Sequence, residues 1–348
     1  MAMATPMAHL LLGASRVHAH AALACVPALR SPLQRSCQFS LLSIRPRIDV
    51  HSLGASLLLR PTLCRSSSKP RAPLSTEPPV PEPEQEPGWP NLEPWDVPWD
   101  GTTTAVGMLS WLFSFVVTGL AVSVVAAQLG IGRRQGLDLD EQATFILFNQ
   151  LTQTVAGLGS LSLVLGRYKP LPPQLFSYDF SEPFNLRRGW ILYGGLGLLG
   201  ATASVVAASS LVVNLTGQPP PREEADALLQ LLPIIGASPG STAALVFVTG
   251  VLAPLLEETV FRGFFLTSLT KWVPTPVAIV VSAFAFAGAH LTPGEFPQLA
   301  ALGIVLGLTY AQTRTLVTPI LIHSLWNSGV IVILTVLRLQ GYDIKELL

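Results

Sequence analysis

From residue 102 to residue 338 the chain alternates long apolar runs with short polar breaks. Runs such as "WLFSFVVTGLAVSVVAAQLG" lack a polar face, so a helix built from one does not suit the surface of a water-soluble bundle. The candidate spans lie near 104–130, 142–166, 189–213, 241–269, 276–291, 297–312 and 316–338. A helix needs about 20 apolar residues to cross a bilayer core, so 276–291 and 297–312 fit partial or buried spans. The expected fold is all-α: a polytopic transmembrane bundle of about six to eight helices behind a disordered N-terminal region. Composition agrees, with 49% hydrophobic and 12% charged residues and a mean hydropathy of +0.49.

The N-terminal part is of a different kind. Residues 1–71 carry nine Lys and Arg against the single acid Asp49, and are rich in Ala, Ser and Leu. That composition fits an organellar transit peptide, and the start "MAMATPMAH" favours a plastid over a mitochondrion. Residues 72–101 form a proline-rich linker with seven acids. It suits an extended conformation, with Trp89, Trp95 and Trp99 at the headgroup level of a bilayer or in a solvated tail. N-terminal transmembrane helices over 102–188 and a second helical domain over 189–340 complete the division. The basic loop 167–188, and the linker with it, would face the stroma, and loop 214–240 the opposite side. No basic stretch persists into the helical part, so nucleic acid is excluded as a partner.

Cys25, Cys37 and Cys64 all fall within 1–71, and so do His9, His18, His20 and His51. The remaining chain has no thiol nucleophile, thiolate metal site or disulfide. It keeps two histidines, His290 and His323.

Charge is concentrated in "APLLEETVFRGFF", residues 253–265. On a helix Glu258 and Arg262 lie about 40° apart, and Glu257 points about 140° away from Arg262. Glu258 and Arg262 are thus set to pair, and Glu257 is held by neither. Each charge near a bilayer centre costs about 2.5–3.5 kcal/mol. A Glu–Arg pair alone reads as a structural staple. The additional carboxylate, Glu257, suits general acid–base work. "FAFAGAH" sets Phe286 four residues before His290, and "IHSLWNS" sets His323 four residues before Asn327, each pair on one helical face.

Glu257-Glu258-x-x-x-Arg262, Phe286-x-x-x-His290 and His323-x-x-x-Asn327, in this order, resemble the three motifs of the CAAX protease and bacteriocin-processing (CPBP, or Abi) family. The resemblance covers roughly residues 190–338. It implies a metal-independent glutamate endopeptidase inside the membrane. Glu257 and His290 would activate a water, and His323 and Asn327 would stabilise the oxyanion. Glu258, Arg262 and Phe286 would support the site. The third motif occurs with Asn or Asp, so Asn327 is no departure.

Other readings stay open at this point. Glu257, His290 and His323 could hold zinc, though the compact H-E-x-x-H pattern is absent and the resemblance points away from a cofactor. A scaffold for plastid complexes could keep the same frame, and a proton-coupled transporter could use a Glu/His relay. "FNQLTQT" places Asn149 and Gln153 for interhelical hydrogen bonds, and "GGLGLLG" is helix-packing glycine. The leading expectation is a multi-pass chloroplast-membrane endopeptidase, in the thylakoid or inner envelope, acting on a membrane-associated polypeptide.

Overall fold

A computed structural model describes residues 90–131, 136–217 and 231–342. The expected transit peptide, most of the linker with Trp89, and residues 218–230 of loop 214–240 lie outside the described residues. Among the described residues the chain is helical, with seven long helices and no strand: α1 (Gly101–Gln128), α2 (Leu139–Leu165), α3 (Trp190–Thr216), α4 (Pro239–Leu269), α5 (Thr275–Ala289), α6 (Phe296–Thr313) and α7 (Val317–Leu339). The all-α bundle read from the apolar runs is the fold observed. Local chemistry sets several of its boundaries. Asp100 caps α1 by accepting from the Thr103 N–H, and Asp138 with Glu141 forms a capping box on α2. Ser238 caps α4 with Pro239 in its first turn.

Four helices, α1, α3, α4 and α7, are long and apolar enough to cross a membrane. They are not equivalent. The apolar window of α4 is 72% buried within the protein, against 11% for α1 and for α3 and 22% for α7. Helix α4 is therefore the axis of the bundle, and α1 and α3 turn most of their surface outward. Of the two polar residues of α2 expected to join helices, Gln153 does so, its Nε2 donating to the Phe115 carbonyl of α1 at 3.1 Å, whereas Asn149 Oδ1 is buried without a hydrogen-bond partner among the described residues. Small residues bring other helices close. A Cβ on Gly107 of α1 would run into the Phe264 ring of α4, and one on Gly197 of α3 into Ile322 of α7.

Helix α4 departs from the regular geometry assumed for its charged stretch. It is α-helical over Pro239–Phe247 and Ala253–Glu258, and widens to π-helix over Val248–Leu252 and Thr259–Leu266. Such i→i+5 segments shift the faces that follow them. Glu258 and Arg262 still meet, because residues four apart stay neighbours in the wider turn.

Trp95 and Trp99, expected at the headgroup level or in a solvated tail, are buried in the protein. Residues 90–100 form an extended strap across the end of the bundle where α4 and α6 finish and α5 and α7 begin. Trp99 is fully buried, tilted against Phe264 with ring centroids 5.6 Å apart, and its indole N–H donates to Ser268 Oγ at 2.8 Å. Trp95 stacks on Tyr310 at 5.2 Å, and the Arg314 guanidinium lies over the Trp95 ring at 3.9 Å. The strap backbone is held as well. The Trp95 N–H donates to Thr270 Oγ1, Thr275 Oγ1 donates to the Leu92 carbonyl, and Lys271 Nζ donates to the carbonyls of Val97 and Trp99. Prolines keep this segment extended, and the helix ends supply the donors and acceptors that water would otherwise supply. Trp99→Phe is expected to lower stability by about 1 kcal/mol through loss of the indole hydrogen bond. Thermal unfolding of the purified protein, with the half-exposed Trp272→Phe as control, measures it.

Candidate active site

Three helices deliver the polar residues. Helix α4 contributes Glu257, Glu258 and Arg262 from its most buried stretch, with Glu258 and Arg262 fully enclosed. Helix α5 is only 15 residues long, about 22 Å. It stops inside the bundle, and His290 is its C-cap. Irregular backbone follows at Leu291–Thr292, where Leu291 takes a left-handed φ of 55°. Irregular backbone at membrane depth is tolerated where protein or a polar cavity surrounds it. Helix α7 contributes His323 and, one turn on, Asn327.

Arg262 anchors the arrangement. Its Nη1 donates to Glu258 Oε1 at 2.9 Å, and its Nη2 to the Gly303 carbonyl of α6 at 3.2 Å. Its guanidinium lies 4.5 Å from the centre of the Phe286 ring. That ring also meets Phe261, His290 and His323 edge to face, with centroids 5.4, 4.5 and 5.7 Å away. Phe286 is thus the hydrophobic hub around which the charged groups are set. His323 Nδ1 joins the pair at 2.8 Å from the same Glu258 Oε1, while among the described residues Glu258 Oε2 and Arg262 Nε have no hydrogen-bond partner.

These bonds fix how the histidines face Glu257. His290 Nδ1 is 2.7 Å from the Phe286 carbonyl, which only accepts, so Nδ1 carries the hydrogen. His323 Nδ1 likewise donates to the Glu258 carboxylate held by Arg262. Both Nε2 atoms then turn to one point: each lies 3.9 Å from Glu257 Oε2. That distance is beyond a direct hydrogen bond. It suits a water-sized group in contact with all three side chains.

The structure therefore brings together Glu257, Glu258, Arg262, Phe286, His290 and His323, and sets Asn327 a turn away, where its Nδ2 donates to the Thr249 carbonyl at 2.9 Å. Among the described residues no group of three or more His, Cys, Asp or Glu is arranged as a metal shell. Three contributors escaped the sequence reading: the His323–Glu258 bond, the Gly303 carbonyl and the Thr249 carbonyl. Gly303 had a signal in Gly303-x-x-x-Gly307, since a Cβ there would press on Ala283 of α5 and keep the α6 backbone from approaching.

A polar cluster with two carboxylates and two imidazoles, enclosed by apolar helices, can hold a water and exchange protons with it. Residues 239–329 match the Rce1-like family, described as type II CAAX prenyl endopeptidase Rce1-like, and that segment holds every motif residue above. In this segment the chain is similar to the CAAX protease family. It is 33% identical over 93 residues to a Staphylococcus aureus (strain USA300) protein named membrane-embedded CAAX protease MroQ. The match covers 25% of this chain and 38% of that protein's length. No solved structure matches the chain significantly.

Proposed function

We propose that the chain is a membrane-embedded, metal-independent endopeptidase in which Glu257 and His290 activate a water. The observation that carries this reading is the convergence of both Nε2 atoms on Glu257 Oε2 at 3.9 Å. A water there donates one hydrogen to Glu257 and the other to His290 Nε2, leaving an oxygen lone pair to attack the peptide carbonyl carbon. Glu257 takes the proton as the C–O bond forms. It returns a proton to the amine nitrogen as the C–N bond breaks. The oxyanion is met by His323 and Asn327. Donation from His323 Nε2 requires a proton on each of its nitrogens, because Nδ1 already serves Glu258. Protonated His323 and Arg262 then balance Glu257 and Glu258 in charge. The apolar walls keep these dipoles from being screened by solvent.

The substrate of this reading is a membrane-associated polypeptide. The basic, Ala- and Ser-rich composition of residues 1–71 favours the chloroplast, in the thylakoid or inner envelope membrane, where plastid complexes are candidate clients. The test compares protein N-termini in plastid membranes carrying the wild-type chain or an equally abundant Glu257→Gln. Termini that vanish only in the variant identify cleavage and its substrates. Identical termini, with full rescue of the null line, would sink the protease and leave a scaffold. For the same reaction, 1,10-phenanthroline is expected to leave the purified protein's cleavage rate unchanged. Loss of activity that added zinc restores would overturn the metal-independent mechanism.

A further inference from the structure

The approach to the two glutamates reads "VTGVLAP", residues 248–254, and its last residue has a specific effect on the helix. Pro254 has no N–H. In the π segment Val248–Leu252 the Ala253 N–H bonds the Val248 carbonyl, five residues back. In the same register the Thr249 carbonyl would be answered by residue 254, and proline cannot answer it. The donor four residues on, the Ala253 N–H, already serves Val248. A buried main-chain carbonyl without a partner is costly. The Asn327 Nδ2–H takes this one at 2.9 Å.

The consequence is an amide that cannot turn over. A carbonyl only accepts, so Asn327 must present its NH2 to Thr249, and a second N–H on the same nitrogen is left over. With the carbonyl answered from its own helix, the amide could flip and offer Oδ1, which repels an oxyanion. Helix α7 runs past α4 with His323 at Glu257 and Asn327 at Thr249, so both side chains lie on one face of α7, one turn apart. Gly250 makes this approach possible, since a Cβ there would collide with Ser328 Oγ of α7.

We propose that Pro254 is a positioning residue: by withholding an N–H from the Thr249 carbonyl, it leaves that carbonyl to lock the Asn327 amide with an N–H free for the oxyanion. The catalytic half of this inference rests on the protease reading; the locking of the amide does not. Two measurements on full-length protein in nanodiscs separate them. The first is the side-chain amide signal of Asn327 in protein labelled with ¹⁵N-asparagine, assigned by its loss in Asn327→Ala. It should shift in Pro254→Ala. The second is cleavage of a polypeptide identified by the Glu257→Gln comparison. Pro254→Ala should lower kcat about 10-fold, less than the roughly 10²-fold loss typical of deleting an oxyanion donor, with KM little changed. The double variant should be no slower than Asn327→Ala alone. An unmoved amide signal overturns the proposal. So does a kcat loss that adds to that of Asn327→Ala, because it places the effect elsewhere, such as in the register of Glu257. Equal cleavage by Glu257→Gln and wild type instead overturns the protease reading and the catalytic half with it, whatever the amide signal does.

Discussion

Glu257→Gln is expected to slow single-turnover cleavage by the purified protein about 10²–10⁴-fold, the usual share of a general base. Glutamine keeps the length and shape of the side chain and can still hold a water between His290 and His323. What it lacks is a basic oxygen to take the proton as the water attacks. The loss should therefore fall on the chemical step, with substrate affinity retained. Neither imidazole can replace it fully, because each Nε2 lies 3.9 Å from the same carboxylate oxygen rather than across the site from it. A variant that cleaves at a tenth of the wild-type rate or better would remove Glu257 from the reaction.

Arg262→Met is expected to destabilise the protein by about 3–5 kcal/mol, the cost of leaving one member of a buried ion pair behind. The substitution keeps much of the apolar volume under Phe286. It strips two hydrogen bonds, from the Glu258 carboxylate and from the Gly303 carbonyl, in a place where neither side chain of the pair is more than 1% exposed. Glu258 is then left with the imidazole of His323 alone. Denaturation in mixed micelles measures the change, and Arg188→Met is the internal comparison. Arg188 pairs with Glu182 at 3.0 Å, but those side chains are 58% and 49% exposed. That loss should be at most about 1 kcal/mol. Equal effects at the two sites would mean that Arg262 is not the keystone of the cluster. Arg262→Lys should recover only part of the stability, since an ammonium on a flexible stem cannot serve both acceptors in the same geometry.

Apolar run length read the helices well because, in a membrane, the backbone must satisfy itself and a long apolar run has few alternatives to a helix. The run ending at residue 291 even foretold a short α5, which turned out to stop at His290. Four-residue spacing read the side-chain pairs on α4, α5 and α7 because each pair is local. It could not read which helices meet. The bond from His323 to Glu258 joins residues 65 apart, and nothing in either motif specifies it. Widening of α4 was hidden too, since a proline in an apolar run permits a kink, a break or a π turn. Trp95 and Trp99 were misplaced for a related reason. Tryptophan beside a first span suits a headgroup, and its partners Tyr310, Ser268 and Phe264 lie far along the chain.

The strap also imposes an order on biogenesis. Residues 90–100 are made before any of the seven helices, yet Asn91 waits for Gln312 and Arg314, 221 and 223 residues later. At roughly 5–20 residues per second of synthesis, that is a delay of about 10–45 s. Trp99 can dock once Phe264 and Ser268 of α4 are made, but the Trp95 ring lacks Tyr310 and Arg314 for nearly all of that time. Docking is complete only when α6 and the turn before α7 are in place, so a fully seated strap marks a chain whose insertion has reached that point. A chain stalled before α6 would keep the Trp95 ring uncovered, and a chaperone or quality-control protease could distinguish it from a finished one by that feature.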